Sequence, residues 1–182
     1  MVSGRLFALA ALVVAPVQDA AFDPVSGYRI AAYRGVVPGP PPGVPRIEAA
    51  AVAALGDRAV LVDVVPAEGS VRDPATGTWR LARPAVSIPS AHWFPEAGRG
   101  VPDPGIERWF LNGVRTLVAA KPSAPIIVFC LADCWMSWNA ALRLRRAGYT
   151  QVRWFAEGSD GWRDLGRRLV PVAPYRARVR RR

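Results

Sequence analysis

Three short apolar runs do most to limit the fold of this chain: "AVLVDVV" (59–65), "APIIVFC" (124–130) and "TQVRWF" (150–155). They are rich in β-branched and aromatic residues and show no polar alternation. This marks strands covered on both faces. Helical patterns lie between them. "PRIEAAAVAALGD" (45–57) has proline near its start and Gly56 where a C-terminal cap belongs. Residues 104–120 carry Ile106, Trp109, Phe110, Val114, Leu117 and Val118 at helical spacing. Residues 134–149 place Asn139, Arg143 and Arg146 on a polar stripe, and Gly148 stops the pattern. A short helix is expected over 159–170. "RDPATGTW" (72–79) reads as the turn of a hairpin, and "AVSIPSAHWFPE" (85–96) as a further short strand with a tight bend. Helix and strand alternate from 45 to 170. This predicts an α/β fold with a central, mostly parallel sheet flanked by helices.

The ends read differently. "MVSGR" followed by the apolar run "LFALAALVVA" (6–15), Pro16, Ala20 and Ala21 has the layout of a secretory leader. The run is too short for a membrane span, which takes about 20 apolar residues. No later segment of the sequence is suited to span a membrane. The expected layout is a leader over 1–20, an N-terminal extension and proline-rich connector over 21–44, one domain over 45–170 and a basic arginine-rich tail over 171–182. Within the extension, "GYRIAAYRG" (27–35) alternates weakly, as an edge strand would, and "VVPGPPPGVP" (36–45) forms a stiff connector. The net charge is +10, and five arginines in the last seven residues supply half of it. This excess sits at one end without interleaved aromatics, so a nucleic-acid partner is not expected. Export would place the protein in the periplasm, where neighbouring thiols tend to pair.

Both cysteines of the chain, Cys130 and Cys134, lie in "CLADCW" (130–135). Cys130 ends a strand and the next helix begins directly after the loop. In parallel sheets, this carboxyl edge is where ligands bind.

Several pieces, in order, resemble a rhodanese-like domain: "VLVDVVP" (60–66), "SIPSAHWFP" (87–95), "PIIVFC" with the loop and "AALRLRRAGYTQV" (140–152), and "EGSDGW" (157–162). The loop departs from that family's common Cys-x-x-Gly-x-Arg: Asp133 stands at the glycine position, Trp135 at the arginine position, and Cys134 is an additional thiol. With a leader, this Cys-x-x-x-Cys-Trp loop is similar to the CXXCW motif proteins associated with periplasmic alcohol catabolism by pyrroloquinoline quinone (PQQ)-dependent dehydrogenases. The resemblance implies an accessory role beside PQQ-dependent alcohol oxidation components. PQQ or another redox cofactor would then be the group within reach, although no cofactor is identified by the residues themselves.

The residues leave several chemistries open. A redox couple of Cys130 and Cys134, with Cys130 as the attacking thiol, competes with a static disulfide. A sulfurtransferase taking thiosulfate or a persulfide would use Cys130 alone. A non-enzymatic binding module would keep the fold and use a tryptophan-lined pocket. A metal site would need His92, the single histidine, beside the loop, with Asp133 or Asp63 as a further ligand. Asp133 is expected as a helix N-cap, and Asp63 as a residue that fixes loops by hydrogen bonds. Trp135 and Trp138 suit either core packing or stacking on a flat ring. The loop carries a carboxylate and no cation of its own, so transfer of sulfur from thiosulfate is expected to be weak or absent. Robust turnover in a cyanide-coupled assay contradicts this.

Overall fold

The structure is a computed structural model, and it describes residues 21–176. The expected leader and the end of the expected tail, residues 177–182, lie outside the described residues. Helix α1 spans Ala49–Leu55 and ends in a 3-10 turn, Gly56–Arg58. Strand β1 is Val60–Asp63, and β2 (Val71–Arg72) and β3 (Trp79–Arg80) form the expected hairpin. Strands β4 (Ala85–Ser87) and β5 (His92–Trp93) follow, then helix α2 over Pro104–Ala120. Strand β6 is Ile126–Phe129, α3 is Trp135–Arg146, β7 is Val152–Phe155, α4 is Gly158–Asp164 and β8 is Val170–Val172.

Four strands form a wholly parallel sheet in the order β5-β1-β6-β7. Alternation along each strand divides the core. Val60, Val62, Val64, Ile126, Val128 and Trp154 face Phe110 and Val114 of α2 and Ala140 and Leu144 of α3. Leu61, Ile127, Phe129 and Phe155 face Val52 of α1 and Trp162 of α4. Covering both faces explains why β1 and β6 read as unbroken apolar runs. Helix α2 has the expected span: Pro104 takes the first turn, and the Asp103 carboxylate accepts from the Gly105 and Ile106 amides.

Three features differ from the sequence reading. Residues 27–35 are not an edge strand of the sheet. They form a strap across α3: Asn139 bonds the Arg29 backbone, and one isolated bridge joins Arg34 to Cys134 at the start of the helix. The stripe of Asn139 and Arg143 on α3 faces inward, because the strap and the 97–100 loop cover it. Arg143 is 4 % exposed; it pairs with Glu107 and donates to the carbonyls of Ala97, Arg99 and Gly100. The chain after α4 forms β8, antiparallel to β4, and then runs beside β5, where Tyr175 stacks on Phe94. Strand pairing and ring contacts therefore continue past residue 170, through residues that are half-buried or exposed.

Asp63 closes β1 inside the core at 1 % exposure. Its carboxylate accepts from the Val65 amide and the Ser87 hydroxyl, which join the β1 exit to β4. This is the loop-fixing role expected of it. Burial raises its pKa to about 6, against the pull of the Ser87 and Val65 hydrogen bonds. A carboxyl with a raised folded pKa binds more protons in the native state, so its contribution to stability falls as pH rises from about 4 to above 6. Asp63→Asn, with the amide oxygen toward Val65, removes that slope. Urea melts across this range should show the wild type losing on the order of 2–3 kcal/mol relative to the variant. Parallel curves for the two proteins contradict the assignment.

Candidate functional site

The strand end, a three-residue loop and the start of α3 bring the two sulfurs together. Cys130 Sγ lies 2.7 Å from Cys134 Sγ, and both side chains are buried, at 0 % and 3 % exposure. The two are free thiols in this structure. Their separation is about 0.65 Å longer than a disulfide bond of about 2.05 Å. The pair faces the α2–α3 side of the sheet, with Val128.

Hydrogen bonds from two directions hold the loop. On one side α4 reaches it: the Ser159 amide donates to the Cys130 carbonyl, and the Ala132 amide donates to the Asp160 carboxylate. This approach needs a glycine before Ser159. Gly158 has φ of 55°, and a Cβ there would lie 2.1 Å from the Cys130 carbonyl oxygen. On the other side lies the strap. The Gly35 amide donates to the Asp133 carbonyl, and the Trp135 amide donates to the Tyr33 carbonyl. Arg34 faces Cys134 in an antiparallel bridge, and its guanidinium donates to the Ala132 carbonyl at 2.7 Å.

The strap is fixed in turn by α3. Asn139, fully buried, accepts from the Arg29 amide and donates to the carbonyls of Arg29 and Gly98. Trp135 packs edge-on to Phe22 and Trp138, under the Arg29 guanidinium at 4.9 Å. Trp138 donates to the Gly39 carbonyl in the proline-rich connector. These two indoles therefore dock the N-terminal extension, with Trp135 buried and Trp138 half-buried.

Asp133 does not cap α3. Cys134 takes the N-cap position, while Asp133 is exposed at φ of 49° and uses its carbonyl for the strap. Asp63 belongs to the opposite face of the sheet by alternation, tied to Ser87. His92 sits on the edge strand β5, against the Tyr175 ring. It borders a groove of about 1120 Å³ with Lys121 and Arg115, away from the thiols. Among the described residues, no three His, Cys, Asp or Glu side chains gather as a metal site. A smaller cleft of about 200 Å³ opens at the carboxyl ends of β1 and β6, between Val65, Trp93, Ser159 and Arg163, and reaches the loop at Leu131.

The electrostatics separate the two thiols. Burial pushes the Cys130 thiol well up, and the neighbouring Cys134 sulfur and the Asp63 charge add to this. Cys134 is brought down to about 7 by the hydrogen bond from Cys130, against burial, with help from the Met136 amide and Arg34. This favours a thiolate at Cys134, whereas the sequence expectation gave the attacking role to Cys130. Arg34, Tyr33 and Asn139 were not foreseen as part of the site. The only trace of Arg34 is the weak alternation of "GYRIAAYRG".

No protein-family model matches the chain, and no curated protein does. Among solved structures, the chain is similar to a thiosulfate sulfurtransferase from Pseudomonas aeruginosa, at 22 % identity and a TM-score of 0.42. The match covers 70 % of this chain and 20 % of that one, so this chain spans about a fifth of its length.

The strap is bonded to the thiol loop, and Asn139 holds the strap; if the strap covers the sulfurs, loosening it exposes them. Asn139→Ala leaves the Arg29 backbone groups without their partner, a loss of about 1–3 kcal/mol in the closed state. Alkylation of the reduced thiols under native conditions should then be roughly tenfold faster. An unchanged rate shows that the strap does not gate them.

Proposed function

We propose that the protein is a dithiol–disulfide redox accessory in which Cys134 attacks and Cys130 resolves. The observation that carries this is the 2.7 Å approach of the two sulfurs at the N-terminus of α3. The helix dipole and the Met136 amide favour a thiolate at Cys134 over the more buried Cys130.

The reaction is an exchange with a disulfide of a small molecule or a partner protein. The Cys134 thiolate attacks one sulfur of that disulfide, forms a mixed disulfide and releases the other sulfur as a thiolate. Cys130 loses its proton to the released thiolate and attacks Cys134. The mixed disulfide breaks, and the partner leaves as a dithiol. Two electrons pass to the partner, and a Cys130–Cys134 disulfide remains. The reverse sequence oxidises a dithiol.

The cellular setting proposed is the periplasm, beside components of PQQ-dependent alcohol oxidation. It is supported by the leader pattern over 1–20 and by the resemblance of the Cys-x-x-x-Cys-Trp loop to the CXXCW proteins. A rhodanese-like ancestry is supported by the order of the sequence pieces and by a parallel sheet with the thiol loop at its carboxyl edge. A cofactor such as PQQ would be presented by a partner in this reading, because Trp135 and Trp138 are occupied by the N-terminal extension.

Single-cysteine variants test the order of the steps. Cys130→Ser retains the attacking thiol and loses the resolving one, so it should accumulate a mixed disulfide with a model disulfide such as oxidised glutathione. Cys134→Ser should accumulate little. Mass spectrometry reads both. Trapping on Cys134→Ser alone contradicts the assignment, and transfer of sulfur by Cys134→Ser supports a sulfurtransferase instead.

A further inference from the structure

We propose that Arg34, on the N-terminal strap, is the cationic positioning residue of the thiol pair, a role the loop cannot fill for itself. The proposal deepens the redox reading and rests on it for its purpose.

The loop 131–134 contains no cation, and Trp135 follows it. Arg163, close to the loop through α4, is committed to Asp160. The Arg29 guanidinium lies over the Phe22 and Trp135 rings. Arg34 is placed differently. Its backbone is paired directly opposite Cys134, flanked by the Gly35–Asp133 and Tyr33–Trp135 hydrogen bonds. Its guanidinium donates to the Ala132 carbonyl at 2.7 Å, two residues before Cys134, and its charge favours the Cys134 thiolate. Backbone and side chain are thus both tied to the loop, which places the charge beside the attacking sulfur. A cation there favours the thiolate, and because Arg34 is exposed the attraction is screened by salt.

The strap therefore has two effects on one sulfur. It covers Cys134, and it brings the charge that activates it. A partner that lifts the whole strap would expose Cys134 and weaken its thiolate together. A partner that displaces only the segment before residue 33 would keep the charge in place. The geometry favours the second, since Tyr33, Arg34 and Gly35 carry the bonds to the loop.

The test is a thiolate titration by ultraviolet absorbance on the full reduced chain. The spectrum of Cys134→Ser is subtracted to isolate that sulfur. Arg34→Gln should move the Cys134 midpoint upward, leaving about three- to tenfold less thiolate at any pH below both midpoints. Arg34→Lys should restore most of the difference. Added salt should narrow the gap between wild type and Arg34→Gln, because the guanidinium is partly open to solvent. Superimposed curves for wild type and Arg34→Gln overturn the proposal. So does a variant whose alkylation is faster at every pH while its midpoint stays fixed, because Arg34 would then be cover alone. No redox partner is needed for this titration, so failure of the Arg34 role and failure of the redox reading are separable.

Discussion

The pairing of two backbone segments, Tyr33–Gly35 and Asp133–Trp135, underlies the whole site. The chain leaves β6 at Cys130 and must enter α3 at Trp135. So short a passage strands backbone donors and acceptors that buried segments cannot leave unpaired. The strap supplies the Tyr33 carbonyl, the Gly35 amide and the Arg34 guanidinium, and α4 supplies the rest through Ser159 and Asp160. The loop can then hold two sulfurs in contact at a helix N-terminus. Both thiols are buried in this arrangement, at 0 % and 3 % exposure.

The sheet separates polar duties by face. Even-numbered residues of β1 and β6 point toward α2 and α3, and Cys130 continues that series. Odd-numbered residues point toward α1 and α4, and Asp63 continues that one. The buried carboxyl is thereby set to tie β1 to β4. The thiol pair instead takes its charge balance from the strap. The N-terminal extension is as much a part of the site as the loop itself.

The sheet and its helices were legible because burial on both faces leaves an unbroken apolar signature, as in "PIIVFC". Helix α2 was legible from the helical spacing of its apolar residues, and the Asp103 cap that the structure shows fixes its start. The strap was not legible. Its bonds to the loop use backbone atoms, which leave no side-chain pattern. The inward face of α3 was misread for a related reason: Asn139 and Arg143 are buried because backbone carbonyls of the strap and the 97–100 loop pair with them. The sequence expectation of Cys130 as attacking thiol came from its position at a strand end, whereas the proposed order starts from Cys134. In the fold, burial at that position outweighs the amides.

The claim that the cysteines form a working couple is tested most directly by their equilibrium with glutathione redox buffers. The buried sulfurs close only a small ring, and a thiolate at Cys134 stabilises the reduced form. The account therefore predicts a reduction potential less negative than about −300 mV, with reduced and oxidised protein interconverting across the buffer series. A pair that stays fully oxidised throughout, with a potential well below that value, would be a structural bridge and would contradict the account.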